Sequence, residues 1–169
     1  MGFPASLWYR HVLRVRYQET DQMGVVYHAN YANWFELGRT ELIRQLGMTY
    51  RELEEKGFIL PVTDLQMTFR KPARYDDVIA VYTRIVSFTN VQLQFESQIR
   101  TVSASQLTSS PDLPTEEPTG ELLVSGGTKH VWLDHNWKLT RIDRTAPELF
   151  SLLGGTQPSS LESKKGPQY

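Results

Sequence analysis

The sequence contains no cysteine. That absence excludes disulfides, cysteine-ligated metal sites and thiol nucleophiles. It fits a reducing cytoplasm at least as well as a secreted scaffold. Long apolar runs are missing too. No stretch approaches the ~20 consecutive apolar residues that cross a bilayer, so no membrane span is expected. Met1–Arg10 has neither the apolar core nor the small-residue cleavage pattern of a secretion signal, and the expected location is cytoplasmic. Neither sign of charge is in excess, the net charge being −1. This argues against a nucleic-acid partner held by bulk electrostatics, and any anion site must be local. The four histidines, His11, His28, His130 and His135, show no metal-ligand spacing. Neither a metal nor another cofactor is expected. There is no internal repeat.

What remains is an ordinary globular composition. With 169 residues, 40% of them hydrophobic, the chain suits one domain with a substantial core. The domain is expected over 1–153, with 154–169 as a flexible C-terminal tail. Ser103–Thr119, rich in Ser, Thr, Pro and Glu, reads as a loop.

A first strand is expected over His11–Tyr17, followed by a polar turn, Gln18–Gly24. The strongest helical pattern runs from Ala29 to Leu46. Tyr31, Phe35, Gly38, Leu42 and Leu46 recur at helical spacing, and Trp34 and Ile43 widen the stripe. Gly47 is a natural stop. A short helix, Thr49–Lys56, ends at Gly57. The period then changes to two. Leu65, Met67 and Phe69 share one face, as do Ile79, Val81, Thr83 and Ile85, and then Val91, Leu93, Phe95 and Ile99. Thr89-Asn90 sits where a hairpin must turn. A last strand spans Leu122–Leu133, and its Gly126-Gly127 pair predicts a bulge or a close backbone approach. One broad helical stripe against one face of an antiparallel sheet is an α+β layer. The opposite face and the sheet edges would be left uncovered, which predicts oligomerisation.

The segment that carries chemistry is Glu19 to Tyr31. Asp21 lies seven residues before His28 in a polar loop leading into the buried helix. Gly24 lets the backbone turn tightly or approach a ligand. The first N–H groups of a helix lack internal partners and carry the positive end of its dipole. A carboxylate and oriented donors near one point are what acyl transfer needs. Asp21 on its own would more often be a turn or helix cap than a catalyst. Asn30 reads as a cap, and Glu19 as a solvated or hydrogen-bonded neighbour.

Here the sequence resembles the hotdog-fold acyl-CoA thioesterases of the 4-hydroxybenzoyl-CoA thioesterase type and their Tol–Pal-associated relatives. The likeness rests on Glu19-Thr20-Asp21, on Gly24-Val25-Val26-Tyr27-His28-Ala29-Asn30-Tyr31, on Phe35-Glu36 with Arg39, and on Phe69 through Asp77. It implies one long central helix wrapped by a five-stranded antiparallel sheet. It implies an acyl-CoA substrate, with Asp21 attacking the thioester or activating water. It makes the His28 N–H the oxyanion donor, places Tyr27 and His28 beside Asp21 as catalytic residues lining the site, and makes Gly24 and Val25 substrate-binding positions. It also implies a homodimer that shares its active sites between subunits, often paired again into a homotetramer. The long Ser103–Thr119 segment departs from the family's short connection.

Given a coenzyme A substrate, Arg70, Lys71 and Arg74 around Pro72 become candidates for its phosphates. Lys129 and His130 are weaker candidates of the same kind. Two other readings compete. A hotdog dehydratase needs a His-Phe-Pro context, and His28 is followed by Ala29-Asn30 instead. A non-catalytic acyl-CoA or acyl-carrier-protein binding module would have little use for Asp21.

Overall fold

The computed structural model describes residues 7–108 and 113–154. The tail expected at 154–169 lies outside these residues apart from Gly154. Strand β1 covers Tyr9–Arg14, helix α1 Ala29–Gln45 and helix α2 Tyr50–Glu55. They are followed by β2 (Phe58–Ile59), β3 (Val62–Phe69), β4 (Val78–Phe88), β5 (Gln92–Thr101), β6 (Glu121–Val131), β7 (Leu133–Asp134), α3 (Ile142–Thr145) and α4 (Pro147–Leu152). Five strands form one antiparallel sheet in the order β1–β4–β5–β6–β3. The fold class is therefore the α+β class expected.

Helix α1 lies across this sheet because its apolar stripe is continuous. Tyr31, Trp34, Phe35, Gly38, Leu42 and Ile43 are all buried. Its first half packs with Val15, Val26, Ile79, Val81 and Ile99. Its second half joins Ile85, Leu93, Phe95 and Trp132. That second cluster is closed by elements the sequence does not advertise, the β2–β7 ribbon and helices α3 and α4. Thr49 caps α2, its side chain accepting from the Glu52 N–H while Glu52 reaches back.

Some boundaries differ from expectation. β1 begins earlier and stops at Arg14, because Tyr17–Glu19 tightens into a 3-10 turn. The Gly126-Gly127 pair is a close approach. A Cβ at Gly126 would stand 1.9 Å from the Gln66 carbonyl oxygen of β3.

The outer face of the sheet is less open than expected. Trp8, Ala80 and Tyr82 form a small cluster there with Val12 and Val102. The described residues 113–119 close over it. Trp8 and Thr115 exchange both backbone hydrogen bonds, at 2.8 and 2.9 Å, and Thr119 hydrogen-bonds the Tyr82 hydroxyl. The expectation of an uncovered opposite face is corrected over β1 and β4, while Gln66, Thr68 and Lys129 leave that face open over β3 and β6. The edge of β3 does remain open, with Leu65 and Phe69 about half exposed. Among the described residues, no helix is long and apolar enough to cross a membrane.

Candidate active site

The loop between β1 and α1 is held at both ends. Val15 is buried, and its N–H donates to the Asp77 carbonyl at 2.9 Å. Glu19 is 7% exposed and acts as a clamp. One carboxylate oxygen accepts the Trp34 indole N–H at 3.0 Å, and the other accepts the Arg16 N–H at 2.8 Å. The Glu19 carbonyl accepts from the Tyr27 N–H at 2.9 Å and the Asn30 amide at 2.7 Å. One residue therefore ties the loop to the helix start. Asn30 fills the structural part expected of it. Glu19 is buried and hydrogen-bonded, and is not a solvated neighbour.

Between these anchors Asp21 and Gly24 make a tight turn. The Gly24 N–H donates to the Asp21 carbonyl at 3.0 Å, and the Asp21 N–H to the Val25 carbonyl at 2.9 Å. Gly24 has φ of +73°, which a side chain would strain. Asp21 Oδ1 accepts the Met23 N–H at 2.9 Å. Its second oxygen has no protein partner among the described residues. The Val26 N–H then donates to the Ala73 carbonyl at 2.8 Å, and the Ala73 N–H to the Tyr31 hydroxyl at 2.9 Å. These bonds lock the turn after β3 against the loop and the helix.

The result is a pocket of about 240 Å³. Asp21, Val25 and His28 supply one wall, Tyr31 the helix side, and Phe69, Arg70 and Lys71 the turn after β3. Burial pushes the Tyr31 hydroxyl above its ordinary pKa, against the Ala73 N–H, and the charges of Asp77 and Asp21 push the same way as burial. His28 begins α1 with helical dihedrals and no side-chain cap. Among the described residues its backbone N–H has no hydrogen-bond partner. A wider groove of about 930 Å³ runs past Arg14, Asn33 and Leu37, but it holds none of Asp21, Val25 or His28.

Of the residues singled out in the sequence, Asp21, Val25, His28, Arg70 and Lys71 meet in this pocket. Gly24 stands behind it as the turn, and its carbonyl accepts from the Arg74 guanidinium at 3.3 Å. Tyr27 points outward, 46% exposed, with its ring 4.4 Å from that of His28. Lys71 is ion-paired with Glu121. Arg70 has no ion pair among the described residues.

Lys129 and His130 are corrected. His130 is 1% exposed, bonded to Leu60 and Thr128, and burial lowers its pKa to about 4. It is neutral at pH 7 and offers no charge to a phosphate. Lys129 points to the outer face of the sheet beside Gln94 and Gly127, away from the pocket. Tyr31 and Phe69, read in the sequence as core positions, are pocket walls. Their rings meet edge to face at 5.5 Å.

Known proteins share this fold. A family model described as the thioesterase-like superfamily matches residues 15–148. YneP of Bacillus subtilis, provisionally named an acyl-CoA thioesterase, is 36% identical over 122 residues, 72% of this chain and 77% of that one. The acyl-acyl carrier protein thioesterase ATL2 of Arabidopsis thaliana, a chloroplast protein, is 35% identical over 130 residues. That match covers 77% of this chain and 61% of the plant protein. Among solved structures, a DHNA-CoA thioesterase from Staphylococcus aureus superposes with a TM-score of 0.74 at 30% identity, covering 87% of this chain and 89% of that one. The family match and the identity to these relatives settle the affiliation: the chain belongs to the thioesterase-like superfamily and has its hotdog fold.

Proposed function

We propose that this protein hydrolyses an acyl-CoA thioester to a free acid and coenzyme A, with Asp21 as nucleophile or general base. The observation that carries this reading is that Asp21 and His28 line one small pocket, and that the His28 N–H has no partner among the described residues. The carboxylate supplies attack or proton abstraction. The N–H, at the positive end of α1, suits the oxyanion that develops on the thioester carbonyl. Incubation with a range of acyl-CoAs and a thiol-reactive dye tests it. Release of free thiol is the expected result. Binding without release would make the protein a binding module and overturn the reading.

The cations beside the pocket support the coenzyme A end of the proposal. Arg70 and Lys71 line the mouth, and Arg74 sits behind the Asp21 turn. Replacing Arg70, Lys71 or Arg74 by Ala is expected to raise KM for an acyl-CoA several-fold. A pantetheine thioester, which lacks the phosphates, should be much less affected. Equal losses on both substrates would remove the cluster from phosphate binding.

A volume of about 240 Å³ falls below the ~300–1,000 Å³ of ordinary ligand pockets. Phe69 belongs both to this pocket and to the exposed edge of β3. A second copy pairing along β3 would satisfy that edge and add a wall to the site. We therefore expect at least a homodimer in solution. Light scattering across a dilution series, with activity measured at each point, checks this. A fully active monomer at nanomolar concentration would contradict it.

A further inference from the structure

Two exposed aromatic rings, on the two chain segments that also build the site, have no part in the chemistry described so far. Tyr17 is 77% exposed and Tyr75 is 58% exposed. Their rings meet edge to face at 5.6 Å, with an interplanar angle of 84°. Neither hydroxyl makes a hydrogen bond among the described residues. The two side chains meet through their rings, and both residues remain more than half exposed to solvent.

Their positions follow from the segments that build the pocket. Tyr17 opens the 3-10 turn that leads to Asp21. Tyr75 follows Arg74, whose guanidinium donates to the Gly24 carbonyl. The rings bridge the same loop and turn whose inner sides carry the pocket. That pocket takes the thioester end of a substrate, and at its size the nucleotide end must lie outside it. Adenine offers a flat π-face, and base–aromatic stacking is a recurrent, measurable source of affinity. The neighbouring Arg74 suits the phosphates attached to the same nucleotide.

We propose that Tyr17 and Tyr75 form a stacking platform for the adenine ring of coenzyme A. This rests on the hydrolytic reading above and sharpens it. A carrier protein presents the same pantetheine arm on a single phosphate, without adenine. A platform for adenine therefore selects coenzyme A thioesters over carrier-protein thioesters.

The test uses the full chain and one acyl group on two carriers, coenzyme A and 4′-phosphopantetheine. Tyr17→Ala and Tyr75→Ala should each raise KM for acyl-CoA roughly 5- to 100-fold with kcat unchanged. KM for the acyl-phosphopantetheine should not move. Tyr75→Phe should keep the wild-type KM, since the ring and not the hydroxyl does the stacking. Unchanged KM for acyl-CoA, or equal increases on both substrates, overturns the platform. The second of these outcomes is also what a role in subunit contact would produce. Wild-type turnover of the acyl-CoA serves as the control. Its absence would strike at the hydrolytic reading itself, and its presence alongside unaffected tyrosine variants would strike at the platform alone.

Discussion

Asp21→Asn should fold as the wild type does and lose thioester hydrolysis by roughly 10²–10⁴-fold, the usual scale for removing one catalytic base or nucleophile. The structure explains why the loss should be chemical and not conformational. Asp21 Oδ1 accepts the Met23 N–H, and the amide oxygen of Asn can accept the same bond. The backbone bonds that close the turn, Gly24 to Asp21 and Asp21 to Val25, do not involve the side chain. What disappears is the negative charge facing the pocket. KM should change little, because the carboxylate is asked to act on the reacting carbon and not to hold the substrate. Thiol release followed in parallel with circular dichroism measures both halves of the claim. Turnover near wild type from pure, folded Asp21→Asn would remove Asp21 from the mechanism. The same assay, quenched rapidly and examined by intact mass, separates the two roles. An acyl adduct on the peptide containing Asp21 marks a nucleophile, and a general base leaves none.

Much of the fold was legible because it rests on two periodicities. The stripe from Tyr31 to Leu46 locates α1 to within one residue of its observed end. The alternation in β4 and β5 separates their buried and outer faces. The meeting of Asp21, Val25 and His28 in one pocket was legible as a local pattern, since these residues lie close together in the chain. Elements held by distant partners were not. The β2–β7 ribbon has two residues per strand and α3 only four, too few for any period to show. Both exist because Trp132, Ile142 and Phe58 complete a core assembled from remote segments. His130 and Lys129 show the same limit differently. They are neighbours in sequence, but strand geometry sends one inward and the other out. Composition alone could not say which. Tyr31 and Phe69 obeyed the apolar pattern, and nothing local distinguishes a core wall from a pocket wall.

Glu19 carries the other large expected effect, on stability. Its side chain is buried, and it accepts from the Trp34 indole, the Arg16 N–H and the Arg16 guanidinium. Truncation to Ala leaves the buried indole N–H of Trp34 without an acceptor, and opens space where the carboxylate stood. An unpaired buried donor costs about 1–3 kcal/mol, so with the second lost bond Glu19→Ala should destabilise the protein by about 2–4 kcal/mol. Glu19→Gln keeps one carbonyl oxygen in place and should lose about half as much. The loss should reach catalysis as well, since the Glu19 clamp fixes the loop that aims Asp21 at the pocket. Urea unfolding at pH 7 gives the stability term, and kcat of the folded fraction gives the second. Trp34→Phe supplies the decisive comparison, because it removes the donor that Glu19 serves. If the clamp acts through that bond, Glu19→Ala should cost clearly less in the Trp34→Phe background than in the wild type. Additive losses would mean that the Glu19 side chain acts on the loop through Arg16 alone.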